Sequence, residues 1–238
     1  MAETKSKKGA PAANESALSQ NEAFILKYKY PIIGAVIVLV LAIAAILFFK
    51  SQAKASHEKA ATEMAKGQEY FNVGMGYFDE AQFEKALNGD SIGFAGFAKL
   101  ANDLSGDDAN LANLYAGLCC AHLDKWEEAQ QYLEKFDGVG DQMISPAAQG
   151  ALGNVYAHLN QLDKAVETLK KAAKEADNIS LSPNFLIQAG QILESQDKKA
   201  EALAAYQEAK TYIDKMPQQV QAQTGRLDID AYIERVSE

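Results

Sequence analysis

The chain has 238 residues, enough for one ordinary domain with an appendage or for a short repeat array. Its 23 lysines and arginines stand against 32 aspartates and glutamates; residues 1–50 hold 6 lysines and 3 glutamates, so the remainder carries 17 basic and 29 acidic groups, a net charge of −12. Only two arginines occur, Arg226 and Arg235, and so acidic a body repels phosphate backbones, which argues against nucleic acid as a partner. Five prolines are few for this length, and recurrent Ala, Leu, Lys, Glu and Gln favour helix over strand.

Residues 1–22 are rich in Lys, Ala, Ser, Asn and Glu without apolar periodicity, and the polar tail 1–30 is read as disordered at its start. Pro31 to Phe49 is then a run of 19 uncharged residues, 13 of them Ile, Val, Leu or Phe. As a helix it would cover about 28 Å, close to the hydrocarbon thickness of a bilayer. Insertion scales give those side chains roughly −4 to −8 kcal/mol in sum. Lys27, Lys29 and Lys50 bracket the run, with Tyr28 and Tyr30 at one end. One transmembrane helix over 31–49 is therefore expected. Ala53-Lys54-Ala55 offers the rival reading of a cleaved signal, but the preceding polar stretch and the apolar core are both too long for one. Lysines on the two flanks are nearly balanced, so charge leaves the orientation open.

Ser51 to Lys66 reads as a helical linker (50–66), with Lys54/Glu58 and Lys59/Glu63 spaced one helical turn apart. Residues 67–108 suggest a degenerate first hairpin through Gly67, Tyr70, Phe71, Phe83, Ala86 and Leu87, interrupted by an insertion around Asn72 to Gln82. A helix from Ile92 to Leu104 is expected to follow, stopping at Ser105-Gly106.

The decisive pattern covers 109–215. Gly117, Leu123, Trp126, Ala129 and Leu133 recur 36 residues later as Gly153, Leu159, Leu162, Ala165 and Leu169. A further shift of 37 brings Gly190, Gln196, Lys199, Ala202 and Tyr206. Such a period marks a solenoid of helical hairpins. Gly117, Gly153 and Gly190 fall in mid-helix, where glycine costs about 1 kcal/mol against alanine. A cost repeated in register implies close helix approach, with Ala129, Ala165 and Ala202 as the small residues across from them. Ser145-Pro146 and Ser182-Pro183, 37 apart, read as serine N-caps followed by proline, with Asp108 in that role for the first unit. Residues 216–238 close the array with a capping helix over Leu227–Val236. The fold class expected is thus all-α: one transmembrane helix followed by an α-solenoid.

The spacing of small, large, small and apolar residues resembles the tetratricopeptide repeat, departing from it where Leu162 and Lys199 replace the aromatic. That resemblance implies that the first helices line a concave groove. In the first unit its residues are Leu111, Leu114, Leu118, Ala121 and His122; in the second, Ala147, Gly150, Asn154, Ala157 and His158; in the third, Asn184, Ile187, Gln191, Glu194 and Ser195. The face runs from apolar to amide-rich with no lysine or arginine, which suits a segment of another protein and disfavours clamping of a peptide carboxylate. Cover by upstream helices is the competing reading of part of it.

Enzymatic constellations are missing: no phosphate loop, dinucleotide fingerprint, zinc-protease helix or nucleophile elbow occurs, so no catalytic residue, cofactor or small-molecule substrate is expected. Cys119 and Cys120 are neighbours on a helix, about 100° apart, and cannot easily bridge. Cys119 and His122 share a face, but two ligands do not make a structural metal site, and none is expected.

The layout as a whole is similar to the tetratricopeptide-like ancillary subunits of the bacterial Sec translocon, in the form found in Bacteroidetes-type bacteria. The residues that carry this are Glu22-Ala23-Phe24, Lys27-Tyr28-Lys29, Lys66-Gly67-Gln68-Glu69-Tyr70-Phe71, Lys85-Ala86-Leu87-Asn88-Gly89-Asp90, Ala189-Gly190-Gln191-Ile192-Leu193-Glu194, Asp228-Ile229-Asp230 and Tyr232-Ile233-Glu234-Arg235. The resemblance implies a cytoplasmic tail, an inner-membrane anchor, a periplasmic repeat domain, and association with translocon subunits, a periplasmic folding factor and nascent or unfolded chains. A scaffold for outer-membrane assembly or cell-wall synthesis would carry the same fold, and an enzyme with a dispersed active site is the alternative of a different class.

Overall fold

The computed structural model describes residues 42–48, 57–217, 220 and 229–237. The chain divides into two compact units, Met1–Ser56 and His57–Glu238. In the first, residues 42–48 are helical, with Ile43, Ile46, Leu47 and Phe48 exposed. The other positions of the expected 31–49 span lie outside the described residues. Among the described residues no helix is long and apolar enough to cross a membrane.

The second unit is a succession of helices, with no strand among the described residues. Residues 57–77 form α1, followed by α2 (Glu80–Asn88), α3 (Phe97–Asp103), α4 (Gly106–His122), α5 (Trp126–Leu133), α6 (Ile144–His158), α7 (Leu162–Ala176), α8 (Ser182–Ser195), α9 (Lys199–Ile213) and α10 (Ile229–Ser237). The pairs α4/α5, α6/α7 and α8/α9 are the three hairpins read from the 36- and 37-residue shifts. Each second helix also packs on the first helix of the next pair, and α10 takes that place against α9. The apolar core is thereby continuous along each stretch of the array. One cluster runs from Met64 through Phe71, Phe83 and Phe97 to Leu133 and Val155, and another from Val166 through Leu186 and Tyr206 to Ile229 and Val236.

The recurring glycines sit where helices touch. A Cβ built on Gly117 would lie 2.6 Å from Leu133 Cγ, on Gly153 2.7 Å from Leu169 Cγ, and on Gly190 2.3 Å from Tyr206 Cε1. The partner that needs the space is thus the large residue one turn beyond the alanine. Ala129, Ala165 and Ala202 are fully buried alongside, and the Ala165 carbonyl oxygen comes within 3.5 Å of the Gly153 position.

Four hairpin turns share one geometry. Phe78, Asp124, Asn160 and Asp197 each take a left-handed backbone, with φ of 54°, 56°, 56° and 60°. In each, the next amide donates to a carbonyl five residues back: Asp79 to Gly74, Lys125 to Cys120, Gln161 to Tyr156 and Lys198 to Leu193, at 2.8–3.1 Å. This is the Schellman termination of a helix.

Several expectations are corrected. No insertion interrupts the first hairpin; α1 runs unbroken to residue 77 and α2 follows a single turn. The helix expected from Ile92 begins only at Phe97, because residues 89–96 form a loop. Gly89 and Gly96 there have φ of 93° and 84°, and a Cβ on Gly96 would lie 2.5 Å from the Asn88 carbonyl carbon. Asp90 holds this loop by accepting from the amides of Ile92 and Phe94, both at 2.9 Å, and from the Tyr70 hydroxyl at 2.7 Å.

Ser145 and Ser182 are not the caps. Helix α6 is capped by Asp141, which accepts from the amides of Met143, Ile144 and Ser145, and α8 by Asn178, which accepts from Ser180 and Leu181. Asp141 and Asn178 are themselves 37 apart. Their serines tie the cap down: Ser145 donates to Asp141 at 2.9 Å, and Ser182 donates to the Ala173 carbonyl at 2.8 Å. Partial desolvation opposes ionisation of Asp141, but the amide bonds and Ser145 outweigh it and pull the carboxyl down to about 2. Asp108 lies within the first turn of α4 and pairs with His57 at 2.7 Å instead of capping.

Candidate functional site

The face expected to bind other proteins is made by α4, α6 and α8, with α10 beside α8. Its residues divide sharply by burial. Leu114, Gly150 and Ile187 are buried; Leu114 and Ile187 belong to the core, and Gly150 is pressed against the Phe185 ring. Leu118 is half-buried. The exposed positions are His122, Ala147, Asn154, His158, Asn184, Gln191 and Ser195. Helical periodicity placed all of these on one side of their helices, but it could not show how much of that side the next hairpin covers.

The two histidines are held by stacking. His122 lies flat on Phe83 of α2, with centroids 4.4 Å apart and planes 2° from parallel; His158 lies flat on Trp126 of α5, at 3.7 Å and 4°. Phe83 and Trp126 occupy the same repeat position, three residues before the buried Ala86 and Ala129. Each histidine therefore packs on the aromatic at the start of the preceding unit's second helix. Phe83 covers one face of the His122 ring while the residue stays exposed on its other side, and this partial desolvation holds the imidazole below its ordinary pKa. In the next unit Leu162 stands in place of the aromatic and Ser195 in place of the histidine, so the row ends there.

Between α6 and α8 lies a hollow of about 350 Å³, lined by Asn154, Ala157, His158, Gln188, Gln191, Ile192 and Ser195. Its walls are amide, hydroxyl and imidazole groups with little charge. The Gln188 Oε1 atom is shielded from solvent and has no hydrogen-bond partner among the described residues.

Helix α10 closes the far side. Arg235 donates two bonds to the Glu194 carboxylate, at 2.6 and 2.7 Å, and Gln191 donates to the Tyr232 hydroxyl at 3.1 Å. The Tyr206 hydroxyl also donates to Glu194, at 3.0 Å. Arg235 first, and Tyr206 with it, keep the Glu194 carboxyl below its usual range against partial desolvation. Glu194 is thus committed to holding α10, which the repeat pattern did not reveal. The third unit's ion pair depends on a residue 41 positions later, and no period links them.

Cys119 and Cys120 are free and fully buried. Desolvation pushes the Cys119 thiol far up and Cys120 to about 12, so both remain protonated small core groups. Among the described residues no three His, Cys, Asp or Glu side chains converge as a metal site would require.

Stacked helical hairpins with small residues at every crossing and a polar hollow between first helices define a repeat scaffold. The family model of the tetratricopeptide repeat-like domain matches residues 22–228, and the chain belongs to that family. No curated protein matches the chain.

Proposed function

We propose that this protein is a membrane-anchored, non-enzymatic scaffold that holds other proteins on its first-helix face, as an accessory to the Sec translocon and periplasmic folding factors. The observation that carries the binding role is the hollow between α6 and α8, lined by the amides of Asn154, Gln188 and Gln191. Asn and Gln side chains offer both a donor and an acceptor, so they match the backbone of an extended or helical segment without regard to its charge. Membership of the tetratricopeptide repeat-like family supports the same reading, because such folds are typically non-catalytic scaffolds.

The anchor rests on the uncharged run 31–49 and its flanking lysines. The translocon as partner rests on the resemblance of the residues quoted above, with the repeat array on the periplasmic side of the inner membrane. Affinity purification of the full-length chain from detergent-solubilised membranes tests it. Translocon subunits or a periplasmic folding factor should accompany the chain in amounts comparable to it; recovery of neither would refute the assignment. Enrichment of outer-membrane assembly or cell-wall proteins instead would move the same scaffold to another envelope machine.

A further inference from the structure

The turn of the first hairpin differs from its three counterparts in a way that packing does not explain. The left-handed position is filled by Asp124, Asn160 and Asp197 in the repeats, and by Phe78 here. Asn and Asp adopt this conformation readily, whereas a bulky side chain crowds the adjoining carbonyl and is strained. A buried Phe could offset that strain by filling the core. Phe78 is instead 86% exposed, and the preceding Tyr77 is 81% exposed. Val73, one helical turn before Tyr77 and so on its side of α1, is exposed as well. Strain and apolar exposure coincide at one tip, and an unfilled outlier of this kind is characteristic of a contact surface.

Charge identifies the occupant. Across residues 67–84 there are four acidic side chains and no basic one. The adjoining turn adds Asp124, and its lone cation, Lys125, is already paired with Glu84 at 2.8 Å. An anionic lipid surface would be repelled by this tip. The tip stands about 30 Å along α1 from residue 57, at the far end of that helix. We propose that Tyr77 and Phe78 form a docking knob that enters an apolar pocket rimmed by lysine or arginine on a partner protein. The inference deepens the scaffold reading in requiring a protein partner, but it does not require that partner to be the translocon.

The test uses the full-length protein carrying benzoylphenylalanine at position 78, irradiated in membranes from cells that express it, together with the Phe78→Asn variant. The expected result is an adduct with a second protein, its linked peptide combining apolar residues with Lys or Arg. Phe78→Asn should then weaken that complex about 30-fold, as loss of an interface anchor does, while the thermal midpoint is unchanged or raised, because Asn suits the turn as it does at position 160. The knob is overturned if the label reaches only lipid, only a second copy of this chain, or nothing. It is also overturned if Phe78→Asn leaves the complex intact or lowers the midpoint, which would make Phe78 a structural residue. Flotation with vesicles of phosphatidylethanolamine and phosphatidylglycerol should not depend on Phe78; dependence would assign the knob to the membrane. Should purification fail to recover the translocon while the position-78 adduct forms, the assignment of partner falls and the knob stands.

Discussion

Gly190→Ala isolates the interaction on which the stacking depends. On helix propensity alone the substitution stabilises by about 1 kcal/mol. The new Cβ, however, would lie 2.3, 2.7 and 2.8 Å from three atoms of the Tyr206 ring, against a carbon–carbon optimum of about 3.5–4.0 Å. Tyr206 is fully buried, and its hydroxyl is fixed to the Glu194 carboxylate, which Arg235 holds in turn. The ring cannot retreat by the required ångström without straining the core or giving up that bond. Overpacking of this kind costs about 1–3 kcal/mol, and the lost bond to a charged acceptor about 1.5–3. Either cost, less the propensity gain, leaves a net loss of up to about 2 kcal/mol, or up to about 8 °C in thermal midpoint at about 2–4 °C per kcal/mol. Denaturant unfolding of Gly190→Ala, Tyr206→Ala and the double variant measures it. With the ring removed, Gly190→Ala should become neutral or stabilising. Equal effects in both backgrounds, or a higher midpoint for the single variant, would refute the argument that glycine recurs because a large neighbour needs its space.

Four further outcomes are expected. Asp141→Ala should lower the midpoint by about 3 °C, whereas Asp141→Asn should restore only part of it, since Oδ1 accepts from Met143 and Ile144 and Oδ2 from Ser145, and an amide keeps one of these two acceptors; the charge-dependent part of the wild-type contribution should vanish on acidification from about pH 4 to 2, as the carboxyl, held near 2 when folded and 3.8 otherwise, takes its proton. His122 is held below its unfolded pKa of 6.5, so the unfolded chain binds more protons in acid; stability should fall as pH drops through and below 6.5, and His122→Gln should flatten that part of a midpoint-versus-pH curve. His57 has the opposite sign: Asp108 raises its pKa, so its contribution is complete below pH 6.5 and is lost as pH rises through the raised value, and Asp108→Asn should remove that slope. A reporter active only outside the cytoplasm, fused after Glu238, should give signal if the array lies in the periplasm; a silent fusion with full expression would place it in the cytosol.

The array was legible because its signal is periodic. Gly117, Gly153 and Gly190 mark helix crossings, and their 36- and 37-residue shifts give the hairpins directly. The same period contained the true caps, Asp141 and Asn178, but serine before proline is the stronger local signature and concealed them. Periodicity gave no help where the chain stops repeating. Residues 92–96 looked helical because Phe94, Phe97, Leu100 and Ala101 are suitably spaced, although Gly93 and Gly96 were there to break the helix. The strain at Phe78 has no signature in composition; it emerges only when four turns are superposed. The binding face was legible as a register but not as a surface. Burial of Leu114, Gly150 and Ile187 depends on how far each hairpin leans over the next, and the commitment of Glu194 to Arg235 on the closing helix.

The central claim, that the face between α6 and α8 holds another polypeptide, is tested most directly at Asn154. Benzoylphenylalanine placed there in the full-length chain, irradiated in native membranes, should give a protein adduct that disappears when His158 and Gln191 are both replaced by alanine. Absence of any protein adduct from a folded, membrane-localised chain, or an adduct indifferent to those replacements, would contradict it.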